Sequence, residues 1–81
     1  MSKADKMFKD LGYDKTQDND KVIFYEKYWQ PAQCTETIAI DKEEKVVEIS
    51  YDKSNIVASF NVGQHLVIHE KLRELGCLEN E

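Results

Sequence analysis

Two histidines four residues apart, His65 and His69, come nearest to a metal site in this 81-residue chain. On a helix, side chains at i and i+4 share a face, so two imidazoles there can reach one ion. The residue after the first is Leu66, so the metalloprotease pattern with a glutamate in that place is absent. No third ligand follows from the spacing; Glu70 and Cys77 are near in sequence but complete no pattern. His65 also falls in the apolar stripe of its helix, and the pair is read as structural, with no metal and no cofactor.

A second group with chemical potential is Tyr25, Lys27, Tyr28 and Trp29, aromatic and basic side chains of the kind that stack single-stranded bases. Strands are rich in aromatics for reasons of packing alone, and Lys27 is the only cation in this run. The acidic pairs Asp18 with Asp20 and Glu43 with Glu44 fall in expected turns. Paired carboxylates catalyse glycoside cleavage only where rigid walls hold them around a pocket, and nothing near them in sequence builds one. They are read as solvated loop charges. Cys34 has no neighbouring histidine and sits on the apolar side of its strand, which makes it an inert core thiol. No constellation here predicts an enzyme.

Sixteen acidic and eleven basic residues give a formal charge of −5, mixed along the chain and not in blocks. Such a balance disfavours non-specific binding to nucleic acid or to an anionic membrane, which depends on neutralising phosphates. No apolar run approaches the roughly 20 residues needed to cross a bilayer, and the N-terminal residues lack the apolar core of a secretion signal. A cytoplasmic location and two free thiols, Cys34 and Cys77, are the expectation.

The elements that must position these residues follow from periodicity. Ala4, Met7, Phe8 and Leu11 lie at helical spacing behind Ser2 as N-cap, with Gly12 as the stop, so a helix is predicted over Lys3 to Leu11. Asp5 and Lys9 have the favourable i,i+4 order for an ion pair. Polar Tyr13 to Lys21 reads as a loop. Four apolar runs follow, starting at Val22, Cys34, Val46 and Ile56 and ending with Phe60, and the short turns between them imply an antiparallel meander. A second helix starts from a capping box at Asn61 and Gln64, carries the stripe His65, Ile68, Leu72, Leu75, and stops at Gly76. The expected fold is therefore α+β, one domain over 1–81: helix, four-stranded antiparallel meander, helix, with both helices on one face of the sheet.

Alternation within each strand assigns the faces. Cys34, Ile38 and Ile40 share one side with Glu36 as the exception; Val47, Ile49 and Tyr51 share another. Val22 to Trp29 is apolar and aromatic on both sides, so whichever side enters the core, the other must be covered or left as an exposed patch. The expected core is Met7, Phe8, Leu11, Ile23, Tyr25, Ile38, Ile40, Val47, Ile49, Ile56, Phe60, Ile68, Leu72 and Leu75.

Ala4 to Tyr13, Val22 to Lys27 and the closing Lys71-Leu72-Arg73-Glu74-Leu75-Gly76 resemble small uncharacterised proteins encoded by phages and prophages of Gram-positive bacteria. The resemblance implies a small cytoplasmic accessory factor made in a bacterial host, favours Ile23 and Tyr25 as the buried pair, and supplies no site residues. Three functions are compatible with these residues. The first is a non-enzymatic protein-interaction module that pairs with itself weakly or with a host protein through Val22, Phe24, Tyr28 and Trp29. The second is an acidic inhibitor competing with DNA for a host nucleic-acid-binding protein. The third is a small single-stranded nucleic-acid binder.

Overall fold

The first helix, α1 over Lys3–Asp10, begins where Ser2 accepts a hydrogen bond from the Asp5 amide, satisfying one of the donors a helix start leaves open. It ends in a Schellman motif: Gly12, at φ 95°, donates to Lys9, and Tyr13 donates back to Phe8. The last helix, α2 over Val62–Glu74, ends the same way, with Gly76 at φ 72° donating to Arg73 and Cys77 to Leu72. Its start is the expected capping box, with both reciprocal bonds between Asn61 and Gln64 present.

Between the helices of this computed structural model, which describes residues 2–30, 33–53 and 61–77, runs a four-stranded antiparallel sheet. Its strands are β1 (Asp14–Asp18), β2 (Val22–Trp29), β3 (Cys34–Asp41) and β4 (Val46–Tyr51), side by side in chain order. The expected meander is therefore present, but its membership differs. Asp14–Asp18, read as loop, is its first strand, while the expected strand Ile56 to Phe60 lies outside the described residues.

The physical reason is that β1 is an edge strand with every residue exposed, so its place depends on backbone pairing to β2 and not on an apolar face. A bulge between Lys15 and Gln17 breaks the alternation as well. The β1–β2 turn is fixed by Asn19, whose side-chain oxygen accepts from the amides of Lys21 and Val22. Asp41 does the same for Glu43 and Glu44 in the β3–β4 turn.

Register fixes which side chains share a face. Ile23, Ile40 and Val47 form one inward row, Tyr25, Ile38 and Ile49 the next, and Lys27, Glu36 and Tyr51 the third. Both helices pack on this face, and α1 also contacts α2. The core centres on Phe8, stacked on Tyr25 with ring centroids 3.7 Å apart, while Tyr13 meets the Phe8 edge at 5.6 Å. Full burial of one such side chain stabilises by roughly 1.5–3 kcal/mol. Ile23, Ile38, Ile40 and Ile68 are buried as expected, with Met7, Leu11, Val47, Ile49, Leu72 and Leu75 packed around them.

Two expectations about this core are corrected. Tyr13 belongs to it, because the chain reversal after Gly12 turns the ring back onto Phe8. On α2 the buried face runs through Gln64, Val67, Ile68 and Lys71, one position round from the expected stripe, and His65 is exposed. Gln64 sets that rotation, since its amide group is bonded beneath the helix.

Candidate functional site

The aromatic and basic cluster of the sequence does not exist as a cluster in space, because β2 divides it between two faces. Tyr25, Lys27 and Trp29 point to the helix side; Tyr28 points the other way and is 57% exposed. Lys27 donates to the carbonyl of Leu11 at 2.7 Å, capping the negative end of α1, and lies 4.1 Å from the centroid of the Trp29 ring. The cation that would meet a phosphate is thus occupied within the fold.

On the helix side, the end of the sheet is built around Glu36, the one acidic residue on the inward side of β3. It is fully buried, at 0% exposure. Tyr13 and the Trp29 indole donate to its Oε1 at 2.5 and 3.2 Å, and Tyr51 and Gln64 donate to Oε2 at 2.9 and 3.0 Å. Those donors fill the acceptor capacity of a carboxylate, which is what allows so polar a group to be buried. They come from the turn after α1, from β2, from β4 and from α2, so one side chain ties four parts of the chain together. Burial pushes the Tyr51 phenol up to about 12, helped by its bond to Glu36. Burial first, and Glu36 second, raise Tyr13 as well.

A second, partly buried polar group lies where α1 meets α2 and the sheet. Asp5 accepts from the Tyr25 hydroxyl at 2.6 Å and from Lys71 and Lys15, both at 3.1 Å. The expected partner Lys9 is replaced by these two, which converge from α2 and β1. Burial by itself would raise the Asp5 carboxyl, but the bonds from Tyr25, Lys71 and Lys15 hold it at about 2. Burial, then the bond to Asp5, raises Tyr25. Both polar groups are satisfied keystones of the fold, and neither carries a reactive pairing.

The opposite face of the sheet carries no helix among the described residues. There Phe24 sits directly across from Ala39, and Ala39 across from Glu48; Val22, Asp41 and Val46 form the next row. Val46 is 50% exposed. Val22 and Phe24 of β2, Ala39 and Asp41 of β3, Val46 and Glu48 of β4 and Glu44 of the turn line a shallow groove of about 420 Å3, apolar side chains and carboxylates side by side. Of the residues named from the sequence as an interaction site, Val22, Phe24 and Tyr28 lie on this open face. Trp29 lies on the other, against Glu36.

The remaining candidates are placed as follows. His65 and His69 both lie on the exposed side of α2, with ring centroids 6.5 Å apart. No group of three or more potential metal ligands occurs among the described residues. Asp18 is not a solvated loop charge: it stands on β1, where Lys42 and Lys15 pair with it at 3.1 and 3.2 Å. Asp20, Glu43 and Glu44 are exposed in turns. Cys34 is buried, Cys77 half-buried, and both are free thiols. No helix among the described residues is long and apolar enough to cross a membrane. Comparison with models of protein families, with curated proteins and with solved structures found no match.

Proposed function

We propose that the chain is a non-enzymatic protein-interaction module whose contact surface is the open face of the sheet around Val22, Phe24 and Tyr28. The observation that carries this reading is the groove on the side away from the helices, lined by Val22, Phe24, Ala39 and Val46 with Val46 half-exposed. An exposed apolar strip bordered by polar groups is a common form of a protein contact. The accessory role in a bacterial host that the resemblance to phage-encoded proteins implies is compatible with it, as is a cytoplasmic location.

The test is the variant Phe24→Ser with Tyr28→Ser, followed by sedimentation, by binding to a recovered partner and by thermal melting. Loss of association with the melt nearly unchanged supports the reading. A folded variant that associates as before refutes it.

A second reading, an acidic inhibitor that competes with DNA for a nucleic-acid-binding protein, draws support from the carboxylates along the same face. Displacement of the partner by duplex DNA distinguishes it. Direct binding of single strands has less support, because Phe24 and Tyr28 share their face with Glu26 and Glu48 while Lys27 points to the helices.

A further inference from the structure

Building on the open face as a contact, we infer that its occupant is a cationic protein segment with apolar side chains interspersed, and not a second copy of this chain. The charge on that face has one sign. Among the described residues, the strand positions directed there include Asp14, Glu26, Asp41 and Glu48, and no lysine or arginine. Lys15 and Lys27 point to the helix side, and of the turn lysines at one end, Lys21, Lys42 and Lys45, Lys42 is bonded to Asp18 and to the Asn19 carbonyl. The formal charge of −5 acts in the same direction at longer range.

The groove adds shape to this charge. A lysine or arginine entering it lays its methylene stem along Phe24 and Val46, and its head reaches Asp41, Glu44 or Glu48 in the same lining. A guanidinium over the Phe24 ring gains a cation–π contact as well. An acidic segment sets its own charge against these carboxylates, and a neutral one offers them no countercharge.

A second copy fits poorly on both counts. A two-fold interface sets the same patch against itself, so the carboxylates of one copy meet those of the other. The apolar strip is also only four side chains, Val22, Phe24, Ala39 and Val46, where a standard interface takes about 20–30 residues a side. Apolar burial alone does not hold such a pair.

The experiment uses short synthetic peptides with the same alternating Val and Phe and with Lys/Arg, Ser/Gln or Glu between them, titrated into isotope-labelled protein. The Lys/Arg peptide is expected to shift the amides of Phe24, Ala39 and Glu48 and to bind about tenfold tighter than the Ser/Gln peptide. That preference is expected to fall about tenfold between roughly 50 and 500 mM salt. In the variant Glu26→Lys with Glu48→Lys, whose fold is checked by circular dichroism, the preference is expected to pass to the Glu peptide. Equal binding of the Ser/Gln peptide, a preference that survives the charge reversal, or tight self-association through the same amides overturns the inference while leaving the open face a contact. If no peptide of any charge moves those amides, the contact reading fails with it.

Discussion

Replacing Glu36 by glutamine is the sharpest test of how this sheet is held closed, because it changes one atom and one charge at constant shape. Each carboxylate oxygen accepts two bonds, Oε1 from Tyr13 and Trp29, Oε2 from Tyr51 and Gln64. If the new amide group replaces Oε1, it faces the Trp29 indole, which can only donate. If it replaces Oε2, it faces the Gln64 amide group, and turning that group round breaks the capping box, since Gln64 Oε1 accepts from the Asn61 amide. Either orientation sets donor against donor. Hydrogen bonds to charged groups contribute about 1.5–3 kcal/mol each, and in either orientation the two at the substituted oxygen are lost or weakened, one of them at a half-buried donor, Trp29 or Tyr51, where water can substitute. The expected loss is therefore about 3 kcal/mol, a large part of the roughly 4–12 kcal/mol available to a domain of this size. Tm should fall by about 12–24 °C. Urea unfolding followed by Trp29 fluorescence measures it directly, since the chain has a single tryptophan and its indole is one of the four donors. A loss below about 1 kcal/mol would mean that the Glu36 bonds are exchanged freely for water, and the keystone reading would fall.

The carboxyl of Asp5 stands at about 2 against an ordinary 3.8, so the unfolded chain binds its proton more readily than the native state does. The resulting stabilisation, about 2 kcal/mol, is complete above the unfolded value and fades as pH falls toward 2. Asp5→Asn should thus lower stability at neutral pH and differ little from wild type near pH 2, and a pH-independent difference would refute it. At the alkaline end the sign reverses. Tyr51 is raised from 10.0 to about 12 and Tyr13 and Tyr25 are raised too, so the stability they hold is complete below pH 10 and lost as pH rises through 12. Unfolding should accompany the rise in phenolate absorbance; titration of these phenols in a chain that stays folded would contradict it. In native protein Cys77 should react with a thiol reagent well before Cys34, which is buried and should react only on unfolding. Equal rates would mean that the sheet end around Cys34 opens easily.

Much of the fold was legible because apolar periodicity reports burial. Ile38 with Ile40, Val47 with Ile49 and both glycine-stopped helices follow from spacing and cap chemistry alone, whereas alternation left the two-sided strand Val22–Trp29 open and only the resemblance favoured Ile23 with Tyr25. Strand β1 was not legible, because an exposed edge strand such as Asp14–Asp18 is defined by backbone bonds to Val22–Trp29 and carries no face to detect. The rotation of α2 was missed for a related reason. Gln64 and Lys71 are buried by partners distant in sequence, Glu36 and Asp5, so a polar side chain occupied a core position that an apolar count gave to His65. The signal for the Glu36 cluster was nevertheless present. A carboxylate at an inward position, between Cys34 and Ile38, requires donors, and Lys27, Trp29 and Tyr51 on the flanking strands are able to supply them; Lys27 goes to Leu11 instead, and the other two bond Glu36.

The same alternation that builds the core explains why β2 in particular bears the candidate contact. On its inward side Ile23 and Tyr25 fill the space under the helices, Lys27 caps α1, and Trp29 closes the Glu36 cluster. That side alone accounts for the strand's place in the fold. Phe24 contributes to the opposite face, where its cross-strand neighbour is the small Ala39, and a Phe–Ala pair adds only a few tenths of a kcal/mol to about 1 kcal/mol to sheet pairing. A large ring there adds little that the fold requires. Its place in the lining of a groove shared with Asp41, Glu44 and Glu48 is what supports the proposed role in recognition.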